Sequence, residues 1–129
     1  MIYIDTSVVL SLVFSERVQP HPSFWRQRFI ASGLLEYEVF NRVNAREVTD
    51  HQMSQVCQII DQITTLDMSP EILARALQPF PIAVRTLDAL HLATMVYLRS
   101  RGQEIHLASY DRRFVEAAKA LGFAEADGL

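Results

Sequence analysis

The sequence is poor in cysteine and lysine, with Cys57 and Lys119 the only residues of each kind. A single cysteine excludes an internal disulfide, and no cluster of cysteine and histidine is present that would bind zinc. Cys57 stands among apolar neighbours in a helical pattern, so we expect a buried, inert thiol.

Long hydrophobic runs are also missing, since none reaches the roughly 18 residues that a membrane helix needs. The segment after Met1 lacks the basic start and the small-residue cleavage site of a secretory signal. We therefore expect a cytoplasmic protein without a membrane segment. Its 129 residues, 50% of them hydrophobic, fit one globular domain over residues 1–129.

Excess positive charge is absent as well, because the formal net charge is -3 at pH 7. This argues mildly against a nucleic-acid partner, since such domains are often basic. However, nearly all of the positive charge is arginine, the residue best suited to phosphate recognition. Cations held by the acidic residues would also change the charge that a phosphodiester meets.

Short apolar segments alternate with helical patterns along the chain. We expect strands over residues 2–4, 29–31, 63–66 and 105–109, with a short final strand near Phe123. Helices are expected between them, with Gly102 and Gly122 ending the last two. This alternation predicts an α/β fold with a mostly parallel central sheet covered by helices on both faces.

Acidic residues stand where predicted strands hand over to helices. Asp5 follows the first strand, and Asp111 repeats the arrangement after the strand that ends at Ser109. Each carboxylate can be read as a helix N-cap or as part of a site at the edge of the sheet.

Asp88 is the only formally charged residue from Thr86 to Leu98, in a helix that is apolar nearly all round. A lone carboxylate in a buried helix is costly unless it is paired, capped or bound to a metal ion. His91, at i+3, is either a core histidine or a support for the same site.

Glu38 lies within a predicted helix over 33–46, on the face that also carries Asn41 and Arg42. It is either a solvated residue paired with Arg42 or a site residue. Glu36 is the rival acid, but it points roughly 200° away around the helix.

Taken together, the acids indicate a metal site. In a parallel sheet Asp5, Asp88 and Asp111 lie at the same edge, where their mutual repulsion favours a bound cation. Carboxylates and hydroxyls suit Mg²⁺ or Mn²⁺, which activate water for attack on a phosphodiester.

Four runs of residues resemble the motifs of PIN-domain nucleases, and most closely those of the VapC toxins of type II toxin–antitoxin modules. They are Ile2–Ser7, Ser32–Val39, Thr86–Ala93 and Ser109–Phe114. The resemblance implies a three-layer α/β/α sandwich and a Mg²⁺- or Mn²⁺-dependent endoribonuclease. It also implies an RNA substrate, a homodimer and a VapB-like antitoxin.

By motif position, the resemblance implies that the catalytic and metal-site acids are Asp5, Glu38, Asp88 and Asp111. Ser109 stands where the family often has threonine, and its hydroxyl can serve the same role. The supporting or substrate-binding residues expected around the acids are Thr6, Ser7, Asn41, Ser109 and Arg112. Arg112 could guide the RNA backbone, as could Arg17, Arg42 and Arg113, or these residues could form surface ion pairs.

Other interpretations compete with this one. A haloacid-dehalogenase phosphatase needs an aspartate at the position of Ser7, and a response-regulator receiver needs a late lysine, whereas Lys119 lies inside the last helix. The remaining alternatives are a PIN-fold nuclease outside a toxin–antitoxin pair and an inactive PIN-like binding module.

Overall fold

Five short strands alternate with six helices in the computed structural model, which describes residues 1–129. In chain order the elements are β1 (Ile2–Ile4), α1 (Thr6–Val13), β2 (Phe29–Ser32), α2 (Leu34–Asn44), α3 (Asp50–Gln62), β3 (Ile63–Leu66), α4 (Pro70–Ala76), α5 (Thr86–Ser100), β4 (His106–Ala108), α6 (Arg112–Ala120) and β5 (Ala124–Glu125). A 3₁₀ turn over Pro22–Arg26 precedes β2. No helix has the length and apolar character needed to cross a membrane.

The five strands form one parallel sheet in the order β3-β2-β1-β4-β5. The central strand β1 pairs with β2 on one side and with β4 on the other, so that Ile2 lies opposite both Phe29 and His106. The chain runs outward from β1 through β2 and β3, then returns to build β4 and β5 on the other side. This reversal opens a crevice beyond the carboxyl ends of β1 and β4, where α/β proteins bind ligands.

Helices cover both faces of the sheet. Helix α1 packs against α2 and α3, whereas α4 packs against α5. Because crossovers between parallel strands are right-handed, this strand order puts α1–α3 on one face of the sheet and α4–α6 on the other. Tyr3 and Ile4 of β1 are fully buried between the layers, as expected for the central strand of a parallel sheet. The predicted α/β/α sandwich with a parallel sheet is therefore confirmed.

Turn residues end the last helices as predicted. Gly102 follows α5 with φ 84° and Gly122 follows α6 with φ 91°, a conformation that residues with a side chain rarely adopt. The first turn of α5 is less buried than its composition suggests, because Leu87 is 47% exposed.

The prediction of a buried Cys57 is wrong, because this side chain is exposed on α3. Val56 and Ile59 are the residues of this helix that reach the core. One residue on from Val56, Cys57 is turned about 100° away from the buried face. The thiol therefore meets solvent although its sequence neighbours are apolar.

Candidate active site

Asp5 stands directly beyond β1, held to β4 by a 2.9 Å hydrogen bond from its backbone N–H to the carbonyl of Ala108. It occupies the N-cap position of α1, yet its side chain accepts no hydrogen bond from a backbone N–H of that helix. Its Oδ2 instead accepts hydrogen bonds from the hydroxyls of Ser7 at 2.6 Å and Ser109 at 2.8 Å. The helix-cap alternative is thus wrong for Asp5.

The two serine hydroxyls are oriented by the loop that follows β4. The Tyr110 N–H donates to Ser7 Oγ at 2.9 Å, and the Asp111 N–H donates to Ser109 Oγ at 3.0 Å. With both oxygens accepting from the backbone, the single hydrogen of each hydroxyl is free to point at Asp5. Asp5 Oδ1 has no hydrogen-bond partner in the protein and remains available to a ligand.

Asp88 is the third residue of α5, whose N-cap is Arg85. Its side chain forms no hydrogen bond or ion pair, so it is neither a cap nor one half of a salt bridge. Burial raises the pKa of Asp88, and the negative charges of Asp111 and Asp5 raise it further. The carboxylate of Asp88 is thus left uncompensated beside two other acids.

Glu38 extends from the second turn of α2 towards α5, where its Oε1 lies 2.5 Å from Nε2 of His91. The alternative pairing with Arg42 is wrong, because no ion pair links the two side chains within 4.0 Å. Glu36 is exposed and contributes nothing to the cavity beside Asp5.

Asp111 differs from the other acids because it does cap a helix. Its Oδ1 accepts hydrogen bonds from the N–H groups of Arg113 at 3.1 Å and Phe114 at 3.3 Å, at the start of α6. Its Oδ2 has no partner in the protein. One carboxylate can therefore hold the helix with one oxygen and offer the other to a ligand.

All four predicted acids line one cavity of about 420 Å³ at the carboxyl edge of the sheet. The other lining residues are Thr6, Ser7, Leu10, Glu16, Asn41, Arg42, Leu87 and Tyr110. Arg112 is not among them: its side chain is 82% exposed and lies 3.9 Å from Glu125. The structure therefore brings the predicted acids and polar residues to the cavity or its hydroxyl support. Of the predicted arginines only Arg42 lines it: Arg112 forms the alternative surface pair, and Arg17 and Arg113 lie outside this cavity.

The residues of the cavity fit a hard divalent cation. No lysine or arginine lies within 4.0 Å of the carboxylates of Asp5, Glu38, Asp88 or Asp111. Burial raises the pKa of Asp5 too, against the hydrogen bonds from its two serines. The hydroxyl of Thr6 is buried at the cavity without a hydrogen-bond partner. The cavity thus combines carboxylates that no lysine or arginine neutralises with a threonine whose buried hydroxyl is unsatisfied.

No three carboxylate or imidazole side chains lie close enough together to coordinate one ion directly. This arrangement agrees with Mg²⁺ chemistry, in which one or two carboxylates bind the ion and water molecules complete the shell.

Sequence reasoning did not identify His91 as the partner of Glu38, or Tyr3 as the partner of His91. Tyr3 Oη lies 2.7 Å from Nδ1 of His91, and both side chains are buried. The only sequence signal that His91 lies near the site was its spacing from Asp88. Its contacts with Glu38 and Tyr3 join residues 53 and 88 positions apart, which a local pattern cannot predict.

Comparison with known proteins agrees with this geometry. The model of the PIN domain matches residues 2–120 of the chain. Ribonuclease VapC35 of Mycobacterium tuberculosis, from strains CDC 1551 and H37Rv, is 30% identical over 96% of this chain and 94% of its own length. Ribonuclease VapC47 of strain CDC 1551 is 26% identical over 98% of this chain and 96% of its own length.

Proposed function

The chain belongs to the PIN-domain family, as a relative of the VapC ribonucleases, and from this premise we propose that it is a divalent-metal-dependent endoribonuclease, the toxin of a type II toxin–antitoxin pair. The observation that carries the proposal is the single cavity that collects the four predicted acids, with Glu16 as a fifth carboxylate, none of them neutralised by a lysine or arginine. The family match makes a nuclease the natural use of such a cavity. The resemblance of the sequence to VapC motifs adds the toxin role.

In this proposal Asp5 and Asp88 would hold one or two Mg²⁺ or Mn²⁺ ions, and the uncapped oxygen of Asp111 would contribute through a water molecule of the ion's shell. When bound, the cation supplies Lewis acidity for the in-line attack of water on a phosphodiester. Glu38 either completes the binding site or orients the attacking water and accepts its proton. Hydrolysis leaves a 5′-phosphate and a 3′-hydroxyl.

The serines serve this chemistry by orienting Asp5. Because Ser7 and Ser109 occupy Oδ2, they leave Oδ1 of Asp5 without a partner in the protein and restrain the carboxylate from rotating. Their hydrogen bonds also lower the pKa of Asp5, against the effect of burial, which favours the charged form that a cation needs.

We propose that the RNA backbone crosses from the acid cavity into a neighbouring cavity of about 430 Å³, because Asp111 lines both. Arg85 and Arg113 line the second cavity, and neither guanidinium is engaged in an ion pair or a side-chain hydrogen bond. Two free guanidinium groups beside the scissile site suit flanking phosphates. Arg42, at the acid cavity itself, is the third candidate.

We also propose a homodimer. An apolar cavity of about 530 Å³ lies between α4, the following loop and the start of α5. Leu77 beside it is 86% exposed and Leu73 is 43% exposed, so the surface is costly to leave in water. A second copy of the chain is the occupant we assign to it. Light scattering on Leu77→Asp should then give a monomer where the unaltered protein gives a dimer.

The toxin role requires a VapB-like antitoxin, and we propose that it silences the enzyme by placing a basic residue among the acids. The protein would then act in the cytoplasm, where it meets RNA and antitoxin. A small open reading frame immediately upstream of the gene, whose product purifies with this chain and blocks cleavage, would support the pairing. Its absence, with nuclease activity intact, would favour a PIN nuclease outside such a pair.

The direct test is cleavage of a labelled RNA with Mg²⁺ or Mn²⁺, followed by mapping of the ends. We expect cleavage by the unaltered protein, none in excess chelator, and none by Asp5→Asn or Asp88→Asn. Full activity in either variant would overturn the assignment. Calorimetry with Mn²⁺ separates the inactive-module alternative, which would bind neither cation.

A further inference from the structure

A continuous chain of hydrogen bonds runs from the backbone of β2 to Glu38. The N–H of Ser32 donates to Tyr3 Oη at 3.0 Å, Tyr3 Oη lies 2.7 Å from His91 Nδ1, and His91 Nε2 lies 2.5 Å from Glu38 Oε1. Tyr3 is fully buried and His91 is 2% exposed, while the Glu38 side chain is 22% exposed at the rim of the cavity.

Donors and acceptors are matched along this series of hydrogen bonds, and each group donates to the next one towards Glu38. The N–H of Ser32 can only donate, so Tyr3 Oη accepts there and keeps its single hydrogen to donate to Nδ1 of a neutral His91. A neutral imidazole that accepts at Nδ1 carries its hydrogen on Nε2. That hydrogen points at Glu38 Oε1.

The imidazole is also held by packing. The rings of Tyr3 and His91 meet edge to face with centroids 5.9 Å apart, and the ring of Phe114 lies 6.1 Å from His91 on another side. A donor confined in this way cannot follow a mobile carboxylate. The carboxylate must instead settle against the donor.

We propose that Tyr3 and His91 are positioning residues for Glu38. Together they anchor Oε1 and leave Oε2, which has no partner in the protein, for the cation or the attacking water. The inference rests on the proposed role of Glu38 at the metal site. It gives α5 two roles, because this helix carries both Asp88 of the site and His91, which orients Glu38.

Substitutions at His91 separate positioning from simple core packing. His91→Met fills the space without a donor, whereas His91→Gln returns an N–H near the position of Nε2. We expect His91→Met to weaken Mn²⁺ binding by about 10- to 100-fold in calorimetry on the full chain and to lower kcat for RNA cleavage more than it changes KM. His91→Gln should restore most of both losses.

The Glu38→Gln background tests whether His91 acts through Glu38. In the Glu38→Gln background, His91→Met should change Mn²⁺ affinity by no more than about 2-fold, which is the scatter seen when effects at independent sites are added. In the His91→Met background, Tyr3→Phe should leave Mn²⁺ affinity unchanged although it lowers the melting temperature. Met95→Leu is the matched control, buried in the same helix and outside the hydrogen-bond chain, and should bind Mn²⁺ normally.

The possible failures are distinct. Normal Mn²⁺ binding and cleavage in Glu38→Gln would overturn this inference together with the proposed role of Glu38. A loss in Glu38→Gln without a loss in His91→Met would overturn the inference alone. Equal losses in His91→Met and His91→Gln, or full additivity with Glu38→Gln, would also overturn it, because packing would then explain the effect.

Discussion

Replacing Asp88 with asparagine should make the metal-free protein more stable while removing its activity. Asp88 is partly buried and unpaired, and Asp111 and Asp5 repel its charge, so the folded state disfavours the carboxylate. An amide of nearly the same shape removes that charge. The Asp88 carboxylate, which is best explained as a metal ligand, is thus expected to lower the stability of the metal-free protein.

The size of this effect follows from the surroundings of Asp88. Each pKa unit by which folding disfavours a carboxylate is worth about 1.4 kcal/mol. Solvent screening reduces this free energy at a partly exposed site such as Asp88. The substitution also removes about 0.5 kcal/mol of favourable interaction between the carboxylate and the α5 dipole. The free energy of unfolding should then rise by less than about 1 kcal/mol, and the melting temperature by no more than roughly 5 °C.

Calorimetric melts in chelator and in Mn²⁺ test this reasoning. At about 100 times the dissociation constant, the cation should stabilise the unaltered protein by about 2.7 kcal/mol. The cation should stabilise Asp88→Asn only slightly. The variant should therefore melt above the unaltered protein in chelator and below it in Mn²⁺. Asp127→Asn is the matched control, since Asp127 is exposed and unpaired, and should follow the unaltered protein throughout.

Two results would refute the reasoning. A melting temperature of Asp88→Asn well below that of the unaltered protein in chelator would mean that the carboxylate stabilises the fold. Equal stabilisation of both proteins by Mn²⁺ would mean that Asp88 does not hold the cation.

Three further predictions concern pH, the serine hydroxyls and the thiol. Because the folded state raises the pKa values of Asp5 and Asp88 above the ordinary 3.8, it binds more protons than the unfolded state. The contribution of these two groups to metal-free stability should therefore grow as pH falls from neutral towards that value, and Asp88→Asn should flatten the profile; a profile unchanged by Asp88→Asn would contradict this. Ser109→Ala removes a hydrogen bond to Asp5 and should weaken Mn²⁺ binding about 10-fold, whereas Ser109→Thr should bind normally; equal affinities for both variants would argue against the hydroxyl's role. The exposed Cys57 should react with a thiol reagent in the folded protein as fast as in denaturant, and protection would contradict its placement.

The order of elements and the edge that carries the acids could be predicted from the sequence because their signals are local. A run such as Ile2–Ile4 followed by Asp5 and a helix shows a strand ending in an acid, and parallel strands share one carboxyl edge. The resemblance to PIN motifs then selected Glu38 over Glu36. Exposure within a helix was harder to infer, as Cys57 shows, because one residue of register decides which face a side chain occupies.

Only the tertiary structure decided which partner each carboxylate has. Asp5, Asp88 and Asp111 were equally readable as helix caps, yet only Asp111 accepts capping hydrogen bonds. The partner that the sequence offered for Glu38 in one of two alternatives was Arg42 at i+4, whereas the structure pairs Glu38 with His91, on another helix. Short-range patterns describe how a chain begins and ends its elements. Hydrogen bonds between distant residues depend on how the sheet and helices pack, and in this protein those bonds orient the carboxylates of the candidate site.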